Sequence, residues 1–207
     1  MTRCGLVRSL AALLIAIAAM SAGFSAPAHA ATGCPAYSLS QPFLPWLDLA
    51  HYTLAPNGGL ESGADAWSLS DGAKVVPGNE TFYVGAATDN YSLSLPSGSS
   101  ATTSTTCVTT LDPTVRMFVT NTGSLLSLLK VEVLYTDLFG IHRAVTIGLL
   151  PGTSRWTPIL PTFFLANLLY PPLLTNGTVD VAFRFTPLGS LSGWRIDDVY
   201  VDPFKGS

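Results

Sequence analysis

Apolar and polar residues alternate with a period of two through most of this chain, and this pattern constrains its fold more than any other feature. Such alternation gives a β-strand one buried face and one exposed face. The segments with the clearest alternation are 91–95, 115–119, 131–135, 179–185 and 194–201. Gly, Asn, Asp and Pro, which favour turns, separate these segments. The pattern predicts about nine or ten short strands in an all-β antiparallel sandwich or barrel.

Two local patterns refine this prediction. The turn residues 70–72 (Ser-Asp-Gly) lie between the apolar segments 66–69 and 73–76, which predicts a β-hairpin. Residues 162–170 could form a helical turn, which the two prolines that follow would end. The sequence shows no alternation of strands with helices, which argues against the α/β folds that bind nucleotides.

The first thirty residues have the three parts of a secretory signal peptide. Arg3 and Arg8 precede an apolar run over residues 10–20, and Ala28-His29-Ala30 supplies the small residues of a cleavage site. The apolar run is shorter than the roughly 20 residues that cross a bilayer. We therefore expect cleavage after Ala30, secretion to the extracellular space and no membrane span in what remains.

This reading divides the chain into a signal peptide (1–30), an extended N-terminal arm (31–50) and a single β-sandwich domain (51–207). The arm contains three prolines and the first cysteine that follows the signal, Cys34. Residues 31–34 (Ala-Thr-Gly-Cys) also resemble a bacterial lipoprotein box. Lipid anchoring at the cell surface through Cys34 is therefore the alternative localisation.

Cysteine and charge content limit the chemistry further. After cleavage the chain keeps Cys34 and Cys107, and in an oxidising compartment such a pair predicts a disulfide, with two free thiols as the alternative. Charged residues make up 11% of the 207 residues, and the formal net charge is −3. A nucleic-acid-binding surface needs clustered Lys and Arg, so nucleic acid is excluded as a partner. The mean hydropathy of +0.40 comes partly from the signal peptide.

Two motifs carry a resemblance to a known family. Residues 57–61 (Asn-Gly-Gly-Leu-Glu) precede Trp67, and residues 196–199 (Ile-Asp-Asp-Val) follow Trp194 near the end of the chain. Over roughly residues 52–203, this order resembles the jelly-roll, galactose-binding-like carbohydrate-binding modules of secreted bacterial proteins. The resemblance implies an antiparallel β-sandwich of jelly-roll type, with both tryptophans in the core and carbohydrate as the ligand.

The resemblance also implies a structural calcium ion. In such modules a Glu of the first motif and an Asp of the last strand often share this ion, and the matching residues are Glu61 with Asp197 or Asp198. Ca²⁺ takes six to eight oxygen ligands, so two carboxylates suit it. Adjacent residues of a strand point to opposite faces, so one of the two aspartates would point into the core unless a bulge intervenes. The alternative is that Asp198 accepts backbone N–H groups or pairs with Arg195.

Catalytic patterns are weak in this sequence. His51 and His142, the histidines left after cleavage, do not combine with a presented serine into a hydrolase pattern. Glu132 and Asp180 are predicted to point outward from their strands, so a carboxylate pair for glycoside hydrolysis stays open. We therefore expect no enzyme activity and place a small glycan hydrolase third among the functions.

Aromatic side chains are the expected contacts for a sugar, because flat rings stack on pyranose faces. The candidates are Tyr83, Tyr91, Tyr135 and Trp156. The leading prediction is a secreted, non-catalytic domain that binds a polysaccharide or a cell-surface glycan. The alternative is a structural or adhesive exported protein without a small ligand.

Overall fold

The structure is a computed structural model that describes residues 33–109, 113–137, 139–163 and 177–203. The predicted signal peptide lies outside these ranges, as does most of the helical turn predicted at 162–170. Within the described part of the chain, no helix has the length and apolar character needed to cross a membrane.

Thirteen strands and one short 3₁₀ helix make up the described structure. Numbered in chain order, the strands are β1 Thr53–Leu54, β2 Trp67–Ser70, β3 Lys74–Pro77, β4 Tyr91–Pro96, β5 Ser100–Thr103, β6 Thr106–Thr109, β7 Thr114–Asn121, β8 Leu128–Thr136, β9 His142–Pro151, β10 Thr157–Pro158, β11 Thr162–Phe163, β12 Thr178–Leu188 and β13 Gly193–Asp202. The five segments with the clearest alternation in the sequence all lie in strands, in β4, β7, β8, β12 and β13.

These strands form two antiparallel sheets. The first sheet has the order β10-β7-β13-β4-β3, with β1 added on β13 and β11 on β7. The second has the order β2-β5-β12-β8-β9, with β6 added on β12. Residues from both sheets, such as Trp194 of β13 and Phe183 of β12, are fully buried in one shared core. The predicted jelly-roll sandwich is thus confirmed, and Trp67 and Trp194 both lie in its core as expected.

The predicted hairpin at residues 66–76 is wrong, although its turn does form. The Ala73 N–H donates to the Ser70 carbonyl oxygen at 3.1 Å, and Asp71 and Gly72 have the positive φ values typical of a tight turn. The two strands that flank this turn nevertheless belong to different sheets, because β2 pairs with β5 and β3 pairs with β4. The turn is therefore a corner between the layers, from which apolar residues on both sides face the same core.

The N-terminal arm is tied to the sandwich at two points. The predicted disulfide joins Cys34 to Cys107 of β6 and closes a loop of 73 residues. In the chain-entropy view, a loop of this length contributes about 4 kcal/mol of stability. Farther along, Ser40 and Tyr52 exchange backbone hydrogen bonds of 2.9 and 2.8 Å. The arm is not extended throughout. Residues Leu44–Trp46 form a 3₁₀ helix with a proline at its second position, where the fixed φ of proline suits the first turn of a helix.

A second apolar cluster fixes the arm on the outer face of the first sheet. Phe43 is fully buried there against Tyr52, Phe118 and Tyr200. The guanidinium carbon of the buried Arg116 lies 4.0 Å from the centre of the Phe43 ring. Arg116 also forms an ion pair with Asp48 of the arm and donates to the carbonyl oxygen of Ile159 at 2.9 Å. The arm therefore supplies part of a packed layer.

We expect Phe43→Ala to lower the free energy of unfolding by about 3–5 kcal/mol, because it removes a fully buried ring and leaves a cavity. The matched control is Leu47→Ala in the same segment, where the side chain is 91% exposed. Its effect should stay within about 0.5 kcal/mol. Urea unfolding of the two variants measures both values, and equal losses would show that the arm does not pack as described.

Candidate functional site

A β-bulge in β13 turns two adjacent carboxylates toward the same side of the first sheet. Asp197 pairs with Phe118 and Tyr200 pairs with Arg116, so β13 takes three steps where β7 takes two. Ile196 and Val199 on either side of the aspartates both point into the core. Asp197 and Asp198 consequently both leave the core, and Asp198 adopts a left-handed φ of 49°. The bulge therefore keeps both aspartates out of the core, where strict alternation would have placed one of them.

Asp197 holds the loop that follows β3. Its carboxylate accepts the Glu80 N–H at 2.8 Å and the Asp198 N–H at 2.9 Å. The fully buried Glu80 carboxylate in turn accepts the N–H groups of Phe82 and Val84. These bonds anchor residues 80–84 on the sheet, because the two carboxylates use backbone donors as their partners.

Asp198 lies where the two motifs of the sequence meet. The Ala55 N–H donates to the Val199 carbonyl oxygen at 2.9 Å, and the Val199 N–H donates to Gly58 at 3.1 Å. A Cβ atom at Gly58 would lie 2.5 Å from the Val199 oxygen, so this position of the first motif requires glycine. The close approach brings Glu61 and Asp198 to the rim of one small pocket.

This carboxylate pocket, formed by Glu61, Asp89 and Asp198 around Gly59 and Gly85, has a volume of about 270 Å³. The Gly85 N–H donates to Asp198 Oδ2 at 3.2 Å. A Cβ atom at Gly85 would lie 2.5 Å from Asp89 Oδ2 and 2.9 Å from Asp198 Oδ1, so oxygens of both carboxylates converge there. Glu61 Oε1 accepts the N–H groups at the start of β4, each at 2.9 Å.

The carboxylate charges in this region repel one another. Burial raises the pKa of Asp197 to about 8, and the charge of Asp198 adds to the increase. Burial also raises the pKa of Asp198 to about 7, with contributions from the charges of Glu80, Asp89 and Glu61. Desolvation raises the pKa of Glu80 as well. A cation in the carboxylate pocket would relieve this repulsion.

The residues present fit calcium in part. Across the described residues, no three or more His, Cys, Asp and Glu side chains are grouped closely enough to hold a metal ion by themselves. A calcium ion would therefore also need backbone carbonyl oxygens and water, which are ordinary ligands for it. Both Asp197 oxygens already accept N–H groups, which leaves Asp198, Asp89 and Glu61 as the side-chain donors.

The alternative role considered for Asp198 holds in one respect, because it does accept a backbone N–H. Arg195, its other proposed partner, has different contacts. The Arg195 guanidinium donates to Ser92 Oγ at 2.9 Å and to the carbonyl oxygens of Pro77 and Gly78 at 2.8 and 2.6 Å. The ion pairs found in the described residues do not include Arg195.

A larger cleft lies on the second sheet, where β8 and β12 separate. The two strands pair from Leu128 with Leu188 to Leu134 with Ala182. Beyond that point β12 continues along β6, whereas the last residues of β8 pair with β9 alone. The divergence opens a cleft of about 770 Å³. The cleft therefore lies where β8 stops pairing with β12.

Polar side chains line this cleft. Tyr135 and Thr136 come from the end of β8, His142 and Arg143 from the start of β9, and Asp180 from β12. Thr136 Oγ1 lies 3.1 Å from His142 Nδ1. Arg143 also forms an ion pair with Asp137, in which Nε donates to Oδ2 at 2.8 Å. The cleft thus offers hydroxyl, imidazole, guanidinium and carboxylate groups beside a tyrosine.

The four aromatic candidates from the sequence do not form one site. Tyr135 lines the cleft. Trp156 packs against the Phe43 cluster on the outer face of the first sheet, 5.8 Å from the Arg195 guanidinium carbon. Tyr83 lies in the loop held by Glu80 and is 51% exposed, and Tyr91 begins β4 near Glu61 with 41% exposure.

The two carboxylates considered for hydrolysis, those of Glu132 and Asp180, have different surroundings. Glu132 is buried, and its carboxylate accepts a hydrogen bond from Arg184 Nε at 2.8 Å and lies 3.1 Å from Lys130 Nζ. The Arg184 hydrogen bond lowers the pKa of Glu132. Asp180 is exposed and lines the cleft instead.

Sequence reasoning did not connect Glu80, Asp89 or Arg143 to either site. Glu80 and Asp89 lie in a loop without a recognisable motif, and they join the site because β13 holds that loop from the other end of the chain. Arg143 joins the cleft through its pairing with Tyr135. Pairing over such distances has no local signal in one sequence.

In a metal-free buffer with a chelator, we expect the free energy of unfolding to fall as the pH rises from about 5 to about 8. An unfolded aspartate has a pKa of about 3.9. Since Asp197 and Asp198 have folded pKa values of about 8 and about 7, the folded state binds more protons than the unfolded state over this interval. Urea unfolding at several pH values measures the slope.

The control for this slope is Asp198→Asn, which removes one of the two titrating groups and should flatten the curve. The lowered pKa of Glu132 acts below about pH 4.5 and so does not offset the slope. A wild-type stability that is constant or rises between these pH values would contradict the prediction.

Comparisons with known proteins agree on the fold. No protein-family model matches the sequence, and no curated protein is similar to it. The N-terminal tandem domain of two family 22 carbohydrate-binding modules of Paenibacillus barcinonensis Xyn10C superposes with a TM-score of 0.52 and 12% identity. The match covers 76% of this chain and 46% of that one.

Two further structures are similar. One holds the family 22 carbohydrate-binding module and the GH10 module of the Clostridium thermocellum endo-1,4-β-D-xylanase 10B, complexed with xylohexaose. Its TM-score is 0.51 at 14% identity, over 72% of this chain and 28% of that one. A family 61 module in complex with β-1,4-galactotriose has a TM-score of 0.43 at 18% identity, over 73% of this chain and 98% of that one. The two structures with TM-scores above 0.5 show that the chain has the β-sandwich fold of carbohydrate-binding modules.

Proposed function

We propose that this protein binds a carbohydrate chain in the cleft between β8 and β12 and does not cleave it. The observation that carries the proposal is the cleft itself, about 770 Å³ in volume and lined by both polar and apolar groups. Saccharides present hydroxyl groups at their edges and C–H groups on their ring faces, so such a lining suits them. Tyr135 offers a ring, and Arg143 and Asp180 offer a donor and an acceptor.

Two arguments support binding without hydrolysis. Glycosidases flank the scissile bond with two carboxyl groups about 5–10 Å apart. Asp180 is the one carboxylate among the described residues that line the cleft, and Glu132 is held in ion pairs. The fold is also that of modules named for carbohydrate binding, one of which forms, together with a GH10 module, a structure complexed with xylohexaose.

The proposed compartment is extracellular, and the partner is a polysaccharide or a cell-surface glycan. The disulfide and the signal-like first thirty residues both suit secretion. Since a sulfur in a disulfide cannot also carry a thioether-linked lipid, the Cys34–Cys107 bond favours secretion over lipid anchoring.

Titration calorimetry with xylohexaose and a panel of other oligosaccharides tests carbohydrate binding. Arg143→Ala should weaken the binding of the best ligand about tenfold, the loss of one charge-assisted contact of about 1.4 kcal/mol. Stability should change little, because an exposed ion pair contributes little to it. The control is Arg155→Ala, an exposed arginine outside the cleft lining. Absence of binding to every glycan tested, or equal affinity of wild type and Arg143→Ala, would contradict the proposal.

We further propose that the carboxylate pocket binds a structural calcium ion through Asp198, Asp89 and Glu61. Three observations support this. Asp198 is 1% exposed, oxygens of Asp89 and Asp198 converge beside Gly85, and burial together with repulsion from neighbouring carboxylates raises the pKa of Asp198. A bound calcium ion would neutralise these charges and join the loop of residues 80–90 to the first motif and to β13.

Calcium should raise the melting temperature at neutral pH relative to the same protein in a chelator, since an ion that binds the folded state stabilises it. Asp198→Asn should remove most of this increase. Asp71→Asn is the control, because Asp71 is an exposed turn residue outside the pocket and Asn tolerates its positive φ. Differential scanning calorimetry measures both variants. A wild-type melting temperature that calcium leaves unchanged would contradict the calcium proposal alone.

A further inference from the structure

The N-terminal segment that follows the predicted signal peptide lines the cleft. Gly33 and Pro35 of this segment lie in the cleft wall together with Cys107 of β6. A Cβ atom at Gly33 would lie 2.8 Å from Thr178 Oγ1, so the segment touches β12 directly. One side of the cleft is therefore built from residues outside both sheets.

Two different bonds hold this segment in place. The Cys34–Cys107 disulfide joins it covalently to β6. The Tyr37 hydroxyl donates to the Cys107 carbonyl oxygen and accepts the Cys107 N–H, each at 3.0 Å. Tyr37 thus occupies the position that a neighbouring strand would take beside Cys107. Both attachments converge on Cys107 of β6. This residue pairs with Asp180 of β12, which also lines the cleft.

These attachments are more local than stability alone would require. A disulfide stabilises a fold wherever it closes a long loop. Here Gly33, Pro35 and Cys107 line the cleft themselves, and Cys34 and Tyr37 of the same segment are bonded directly to Cys107. A segment held by this many bonds keeps its shape when a ligand binds, which reduces the conformational entropy lost on binding.

We propose that residues Gly33–Tyr37, held by the Cys34–Cys107 disulfide and the Tyr37 hydroxyl, form a fixed wall of the cleft that determines its affinity for the bound saccharide. This inference rests on the proposed carbohydrate function. It assigns to Tyr37 and to the disulfide a positioning role toward the ligand, and to Pro35 a direct contact with it.

The test compares affinity for the best-bound oligosaccharide, or for xylohexaose where several bind equally, across matched variants. Cys34→Ser combined with Cys107→Ser frees the wall, and we expect affinity to fall about tenfold or more. Tyr37→Phe and Pro35→Ala keep the disulfide and should each weaken binding several-fold. Tyr52→Phe and Pro42→Ala repeat the same chemical changes outside the cleft and should leave affinity unchanged.

A structural role alone predicts a different pattern, and Phe43→Ala separates the two. Phe43 lies on the opposite side of the sandwich, so this variant loses stability without touching the cleft. We expect it to keep wild-type affinity at temperatures where near-ultraviolet circular dichroism shows a folded protein. Weakening in Phe43→Ala equal to that in the double serine variant would overturn the proposal.

The remaining outcomes are equally decisive. If the double serine variant does not fold, Tyr37→Phe and Pro35→Ala decide the question with the disulfide intact. If the wild type binds a glycan and none of the wall variants changes its affinity, the proposed role of the wall is overturned and the proposed function is not. Wild-type protein that binds no glycan would overturn both.

Discussion

One extra residue in β13 is the constraint on which the carboxylate site depends. Ile196 and Val199 both have to fill the core, so the two residues between them must both leave it. Without the bulge, strict alternation would send one aspartate in among the buried side chains of the sandwich, at a cost of several kcal/mol. With the bulge, Asp197 anchors the loop after β3 and Asp198 meets the first motif at Gly58. Loops distant in sequence are thereby joined at one point of one strand.

Backbone N–H groups offset the burial of these carboxylates unevenly. Asp197 and Glu80 each accept two of them, so the oxygens of both carboxylates have hydrogen-bond partners, although burial still raises the pKa of each. Asp198 accepts one, from Gly85, and faces Asp89 at close range. The region therefore combines a satisfied inner pair with an outer group whose repulsion persists, and a cation is the simplest way to relieve that repulsion. The structural role thus belongs to Asp197 and Glu80, and the ion-binding role that we propose belongs to Asp198.

The cleft has an independent origin on the other sheet. It forms because β8 turns into β9 before it has paired with the whole of β12, so residues 178–181 of β12 pair with β6 and not with β8. The disulfide then brings residues 33–37 to that place and supplies a wall that neither sheet provides. Cleft and carboxylate pocket therefore lie on different sheets and share no lining residue. A change in one need not alter the other.

The sequence by itself determined the strands β4, β7, β8, β12 and β13, because period-two alternation and turn residues act locally. It also indicated the two buried tryptophans, the cysteine pair and the positions of Glu61 and Asp198 in two motifs. It misassigned the turn at residues 70–72, whose local chemistry is the same in a hairpin and in a corner between sheets. Tertiary structure alone decided which strands pair and in what register. The assembled sheets bring the Glu80 N–H to the Asp197 carboxylate and place Tyr135 and Trp156 in different parts of the molecule, since residues far apart in the chain meet only when the sheets form.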